Sequence, residues 1–317
     1  MTMENKKSRT ALVTGGSGYL GSILSKRLKK EGWRVVLYDK RPPNHSYFDF
    51  LVVDDILNRQ MVNTLFQQED IDIVFHLAGR IEVGESQKNP TEFWEVNVGG
   101  TTIVLNAMKK YGVRKIVFSS TAGVYFSSGI LIPENEATTN NSVYSNTKLA
   151  CENAIEDSGL EFIIFRYFNL ARADEDLGEN HEPETHLIPK ILRNLNNFEI
   201  YGSDYPTADG TCIRDYVHVL DVVEAHIKAI DYLYEDKESR VINLGTGKGY
   251  SVLEIIDVVK NITKQKVNYT FAEKREGDPE YLVADITLAK ELINYEPQYE
   301  IHSIVQSAYE WEKKRIG

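Results

Sequence analysis

From Ala11 onward, short runs of consecutive apolar residues alternate with stretches in which apolar positions recur at helical spacing. The runs are Ala11–Val13, Val35–Tyr38, Leu51–Val53, Ile73–Leu77, Lys115–Phe118 and Phe162–Phe165. Strands buried on both faces read as nearly continuous apolar segments, so this grammar predicts an α/β fold, a doubly wound parallel (Rossmann) sheet covered by helices on both sides. After Arg166 the alternation weakens. The acidic stretch Asp174–Glu184 reads as loop before Leu187, Ile188 and Ile191 resume an apolar stripe. The pattern therefore predicts a Rossmann domain over residues 1–167 and a smaller α/β domain over 168–317. Within the latter, residues 216–247 carry a helix at Asp221–Tyr234 and a strand at Arg240–Leu244, and this piece is expected to return to the first sheet. Ser251 followed by Glu254 reads as a capping box that opens another helix.

Composition narrows the function classes. Of the 317 residues, 42% are hydrophobic, enough for a substantial core, and 36 Lys and Arg stand against 47 Asp and Glu for a net charge of −11. Such a surface repels nucleic acid and anionic membranes, so any anionic ligand must meet a local cluster of cations. Met1–Thr10 lacks an apolar core of signal-peptide length, and no stretch approaches ~18 unbroken apolar residues, so cytoplasmic residence without a membrane segment is expected. Cys151 and Cys212 have no metal-type spacing and read as packing residues; no metal site is expected.

The chemistry begins at Thr14-Gly15-Gly16-Ser17-Gly18-Tyr19-Leu20-Gly21, which follows the first strand and opens a helix. Gly16, Gly18 and Gly21 match the dinucleotide fingerprint: glycines permit a tight turn and let backbone N–H groups approach a pyrophosphate at the positive end of the helix. Asp39, at the end of the second strand, can accept hydrogen bonds from ribose hydroxyls and would repel a 2′-phosphate, which favours NAD over NADP; Lys40 and Arg41 temper that preference. Asp55 and Ile56 follow the third strand, on the adenine side, and Leu77, Ala78 and Gly79 end the fourth at the carboxyl edge, where ligands sit in such sheets. His76, among apolar residues, reads as structural.

Tyr144 and Lys148 stand four apart in a segment that continues helically, so both side chains share one helix face. A free tyrosine has a pKa of ~10, but a neighbouring ammonium and a cationic nicotinamide favour the phenolate, which can accept a hydroxyl proton. The fifth strand ends in Phe118-Ser119-Ser120-Thr121, which places the Thr121 hydroxyl at the same sheet edge as a proton relay or orienting group. For Ser119 and Ser120, turn hydrogen bonds and a functional role remain open alternatives.

With these motifs assembled, the chain resembles the extended short-chain dehydrogenase/reductase superfamily, and more closely its UDP-glucose 4-epimerase (UDP-galactose 4-epimerase) branch, over nearly all of residues 10–312. The most specific pieces are Arg166-Tyr167-Phe168-Asn169, the run from Tyr201-Gly202-Ser203-Asp204-Tyr205 through Asp209-Gly210-Thr211 to Arg214-Asp215-Tyr216-Val217-His218, and Arg275-Glu276-Gly277-Asp278. The resemblance implies an NAD-dependent isomerase that inverts C4 of a UDP-hexose by hydride abstraction, rotation of a 4-keto intermediate and hydride return. It assigns the C4 proton to Tyr144, the nicotinamide ribose to Lys148 and the serine/threonine position to Thr121. Gly15, Gly18, Tyr19, Leu20, Asp39, Asp55, Ile56, Leu77, Ala78, Gly79, Ser119 and Tyr167 fall on the cofactor side. Asn169, Arg214 and Arg275 match diphosphate positions, Asp278 a ribose position, and His186, Leu187 and Tyr201 the uridine-side loop. Bidentate arginines are what a diphosphate needs on an acidic protein.

Two departures matter. Ile81, preceded by Arg80, stands where the family often has a cofactor-contacting lysine, and Leu282 aligns with a sugar-pocket position that is often tyrosine. A smaller side chain there predicts room for UDP-GlcNAc and UDP-GalNAc as well. Against a dehydratase, Ala122-Gly123 replaces the Asp-Glu that such enzymes carry after the threonine. A UDP-glucuronate epimerase or decarboxylase, which needs a further cation, and a non-catalytic NAD-binding protein are the alternatives. The resemblance also implies a homodimer pairing the helices around Thr91–Lys110 and Tyr144–Glu156, for which Phe93, Trp94, Val98 and Val104 offer apolar surface or, equally, intramolecular core.

Overall fold

The computed structural model describes residues 9–126, 131–139, 141–171, 177, 186–235, 237–275 and 278–316. The acidic stretch Asp174–Glu184, save Leu177, lies outside the described residues, as do Glu276 and Gly277. The strands in chain order are β1 (Thr10–Thr14), β2 (Arg34–Asp39), β3 (Phe50–Val53), β4 (Ile73–His76), β5 (Lys115–Thr121), β6 (Glu161–Tyr167), β7 (Asn169–Ala171), β8 (Phe198–Tyr201), β9 (Ile213–His218), β10 (Arg240–Leu244), β11 (Gly249–Ser251), β12 (Tyr269–Ala272) and β13 (Tyr281–Leu282). All six strands expected before Arg166 are present, as is Arg240–Leu244.

A seven-stranded sheet runs in the order β10-β6-β5-β4-β1-β2-β3, with β1–β2, β1–β4, β2–β3 and β4–β5 all parallel. The strand order reverses beside β1, the switch point at which such sheets open a ligand crevice at their carboxyl edge. β10 sits at the outer edge beside β6. Helices follow the strands as the apolar periodicity requires. In Tyr19–Lys30 one face buries Ile23, Leu24 and Leu28, while Arg27, Lys29 and Lys30 in the last turn complement the negative end of the helix dipole. The Ser251–Glu254 capping box is present in full: the Ser251 side chain accepts from the Glu254 N–H, and the Glu254 carboxylate accepts from the Ser251 N–H.

The chain forms two compact units that interleave along the sequence: Met1–Ser120 with Thr147–Ile164 and Ala229–Arg240, and Thr121–Asn146 with Phe165–Lys228 and Val241–Gly317. In the first, Leu12, Val13, Leu37, Val74, Phe75, Ile116 and Val117 are fully buried. Of the four residues offered as apolar surface, Phe93 and Val104 belong to this core at 0% exposure, whereas Trp94 is 43% exposed. The second has its own core, in which Ile188, Ile191, Ile200, Tyr216, Ile255, Val259, Ile304 and Val305 pack together. There β9 pairs with β7, β11 and β13, and β8 with β12. Cys151 and Cys212 are buried free thiols, as packing residues should be.

Candidate active site

The glycine turn is built for close backbone approach. Gly15 adopts φ +74, where an L side chain is strained, and a Cβ there would lie 2.8 Å from the Ala78 N. A Cβ on Gly21 would meet the Gly15 carbonyl oxygen at 2.2 Å, so the helix can start only if Gly21 is bare. Gly18 is the N-cap of that helix and supplies no side-chain cap, which leaves the N–H groups of its first turn aimed outward for a pyrophosphate. The Asp39 carboxylate accepts from the N–H of Ser17 and of Arg41, both at 3.0 Å, and is thereby fixed beside the turn. Asp55 accepts from Leu57 N–H through its carboxylate and from the Tyr38 hydroxyl through its carbonyl, while Ile56 is buried against Gly100. These features fit a dinucleotide: a cradle that any Cβ would fill, and a carboxylate held at the ribose end.

The end of β4 is locked to the same turn. Leu77 N–H donates to the Thr14 carbonyl and Ala78 N–H to the Thr14 hydroxyl. His76 lies between them at 0% exposure, with Nδ1 2.7 Å from Thr14 Oγ1 and Nε2 3.0 Å from Thr101 Oγ1. Thr101 gives its one hydroxyl proton onward, to Asn97 O or Cys151 Sγ, so Nε2 is the donor to Thr101 and Nδ1 the acceptor from Thr14. Burial pushes the His76 pKa down to about 3, with the Lys148 charge adding to the effect, so the ring is neutral and structural.

Lys148 is 3% exposed and its ammonium donates to the Ser119 carbonyl at 2.7 Å. A Cβ on Gly79 would stand 3.6 Å from its Nζ and 2.9 Å from Asn97 Oδ1. Gly79 after β4, Ser119 on β5 and Lys148 on the helix Val143–Glu156 therefore converge. Asn97 was not singled out by sequence reasoning. It sits in a π-helical turn, Trp94–Gly99, a local widening that recurs at functional sites. Its amide accepts from Arg80 N–H and donates to Thr147 and to the Arg80 carbonyl, 2% exposed. The sequence carries no signal for it, because its burial depends on partners at Arg80 and Thr147. Arg80 itself is turned to Glu92 and the Phe93 ring, and Ile81 is 38% exposed.

Thr121 ends β5, and its hydroxyl accepts from Gly123 N–H at 3.1 Å, which orients it. Tyr144 is half-buried in the first turn of the helix Val143–Glu156, one turn before Lys148. Tyr167 is buried, and its hydroxyl donates to His226 Nε2 at 2.8 Å, since His226 Nδ1 donates to the Val222 carbonyl. Its hydroxyl thus faces the core, leaving its main chain and ring edge as what it can offer a cofactor.

In the second unit the phosphate and nucleoside candidates gather around β9. Arg214 is 7% exposed; one guanidinium nitrogen donates to Asp278 at 2.9 Å and another to the Ile213 carbonyl. Leu282 on β13 is in register with Arg214, and Asn169 on β7 with Tyr216. The Arg275 guanidinium lies 4.0 Å from the centre of the Tyr201 ring, a cation–π contact that aims it from the end of β8. His186 and Leu187 open the helix Leu187–Arg193. Tyr205 is 6% exposed, its hydroxyl has no hydrogen-bond partner among the described residues, and burial with the Asp278 charge pushes its pKa up to about 12. It is a buried neutral donor near Arg214 and Arg275.

The family described as "NAD dependent epimerase/dehydratase family" matches residues 11–245. A UDP-glucose 4-epimerase of Rhizobium meliloti is 40% identical over 323 residues, covering 98% of both chains. The crystal structure of UDP-glucose 4-epimerase from Brucella ovis in complex with NAD superimposes with a TM-score of 0.91 at 36% identity, covering 96% of this chain and 98% of that one. The Stenotrophomonas maltophilia UDP-glucose 4-epimerase with bound NAD and formylated UDP-arabinopyranose gives 0.92 at 33% identity, covering 97% and 99%.

Proposed function

The chain belongs to the NAD dependent epimerase/dehydratase family, and on that premise we propose that it interconverts UDP-glucose and UDP-galactose by inverting C4. It is an NAD-dependent isomerase. The observation that carries the reading is Lys148, buried and held on the Ser119 carbonyl under Gly79, one turn from Tyr144 on the same helix.

When bound, NAD supplies a reversible two-electron acceptor for the C4–H bond. Tyr144 takes the C4 hydroxyl proton as that bond is oxidised and returns it when the carbonyl is reduced from its other face. Lys148 favours the phenolate electrostatically and meets the nicotinamide ribose. Thr121, oriented by Gly123, steers the transferred proton. Arg214 and Arg275 hold the diphosphate while the 4-keto sugar turns, and Asn169, Asp278, His186, Leu187, Tyr201 and Leu282 line the nucleotide-sugar side. Asn97 joins the cofactor side. With Ala122 and Gly123 after Thr121, no carboxyl group stands there to expel a C6 hydroxyl.

Leu282 in place of a larger side chain supports activity on UDP-GlcNAc and UDP-GalNAc. A homodimer is inferred through the helices around Thr91–Lys110 and Tyr144–Glu156, with exposed Trp94 as its apolar contact. Cytoplasmic residence is inferred from the two free thiols; among the described residues no helix is long and apolar enough to cross a membrane. The test is a coupled assay of UDP-glucose formation from UDP-galactose without added NAD, alongside Tyr144→Phe. Turnover that falls by at least 10²-fold in the variant is expected; a fully active Tyr144→Phe contradicts the assignment.

A further inference from the structure

One turn beyond Lys148 the same helix carries Glu152, a carboxylate at 1% exposure that the mechanism above does not use. Ionisable side chains are almost never fully buried without a partner, because desolvation of the charge is costly. The Ser120 hydroxyl, itself 2% exposed, donates to the Glu152 carboxylate. Ser120 lies between Ser119, whose carbonyl takes the Lys148 ammonium, and Thr121. Glu152 and Lys148 therefore grip consecutive residues of the strand end that presents the reactive hydroxyl.

We propose that Glu152 is a positioning residue for the reaction, its buried carboxylate serving as the countercharge that keeps Lys148 an ammonium and as the anchor that fixes the end of β5. The inference rests on the epimerase reading for its kinetic consequence but not for its electrostatics. Burial pulls the Lys148 pKa down, and Cys151 and Glu152 act in the opposite direction. The Cys151 thiol is itself pushed up by burial and His76 is pushed down to about 3, so both are neutral at physiological pH. On the same helix face, Tyr144 is the group Lys148 serves, and Glu156, two turns beyond Lys148, is exposed. The countercharge falls to Glu152. A hydrogen bond to Ser120 alone would be met equally well by glutamine, whose amide oxygen also accepts, so the charge is the feature to isolate.

The experiment compares wild type with Glu152→Gln and Glu152→Asp. Two signals are read: the pH profile of kcat, and the Lys148 titration in ε-13C-lysine-labelled protein by NMR, assigned with Lys148→Arg. Removing a negative charge about 6 Å away disfavours the ammonium, so in Glu152→Gln the Lys148 titration and the alkaline limb should both fall by about one to two pH units at an effective dielectric of about 20. Glu152→Asp keeps the charge and should keep the limbs near their wild-type positions even if its shorter reach lowers kcat. Wild-type limbs and an unmoved Lys148 titration in Glu152→Gln would overturn the proposal whatever happens to the rate. If Glu152→Gln does not fold, a Glu152→Asp variant whose limbs move by a unit or more overturns it. A wild-type chain without epimerase turnover would sink the functional reading, while the NMR titration would still decide the role of Glu152.

Discussion

Gly21→Ala adds one methyl group to the first turn of the helix that faces the cofactor, and its cost follows from the structure. The new Cβ would lie 2.2 Å from the Gly15 carbonyl oxygen, 2.8 Å from the Gly16 Cα and 2.9 Å from the Gly15 carbon. All three are backbone atoms, so no side-chain rotation relieves the overlap. Reaching ordinary contact requires helix and turn to separate by roughly 1 Å, and overpacking of this kind costs about 1–3 kcal/mol of stability. The same displacement withdraws the first-turn N–H groups from the pyrophosphate. A charge-assisted hydrogen bond contributes about 1.5–3 kcal/mol, so losing the equivalent of one weakens NAD binding by about 10- to 150-fold. NAD per protomer after gel filtration, calorimetric titration of cofactor-free protein, and Tm measure the three consequences. Gly84→Ala is the control, because no neighbouring side chain or packed backbone of the described residues lies within 4 Å of its Cβ position and its φ is ordinary. A Gly21→Ala protein with wild-type NAD affinity would refute the argument that helix and turn must touch to hold the dinucleotide.

Arg214→Lys keeps the charge but loses the planar fork held on Asp278; under the proposed diphosphate role, KM for the UDP-sugar should rise about tenfold with kcat less affected, read by steady-state kinetics. Leu282→Tyr enlarges the residue in register with Arg214 and should depress kcat/KM for UDP-GalNAc more than for UDP-galactose; equal losses on both pairs would contradict the size argument. His76 and His226 are buried, with pKa values pushed down to about 3 and about 4 from 6.5. The unfolded chain takes up protons at these rings before the folded one does. Their contribution is therefore complete above pH 6.5 and is lost as pH falls from 6.5 towards 4, by about 1.4 kcal/mol per pH unit for each ring. Urea midpoints at pH 7.5 and 5 should differ accordingly, by roughly 4 kcal/mol for the pair, and His76→Gln should flatten the dependence.

Much of this molecule was determined by the order of its residues. Buried parallel strands must be continuously apolar, so β1 to β6 stood out, and a tight turn that admits a pyrophosphate must be bare, so Gly15 to Gly21 did too. Helical periodicity alone puts Tyr144 and Lys148 on one face, and the capping box at Ser251 is a local hydrogen-bond code that needs no distant partner. The tertiary structure decided what depends on contacts far apart in sequence. Phe93, Trp94 and Val104 could serve equally as surface or as core by their sequence, and packing buries Phe93 and Val104 while leaving Trp94 outside. Asn97 gained its place from partners at Arg80 and Thr147, Tyr205 from a fold that shields its hydroxyl, and Glu152 from Ser120. None of these has a sequence signature, because burial and pairing of a polar group are properties of its neighbours in space. Periodicity tells a chain which face goes inward; only the closed fold decides which polar groups go in with it, and what they must then hold.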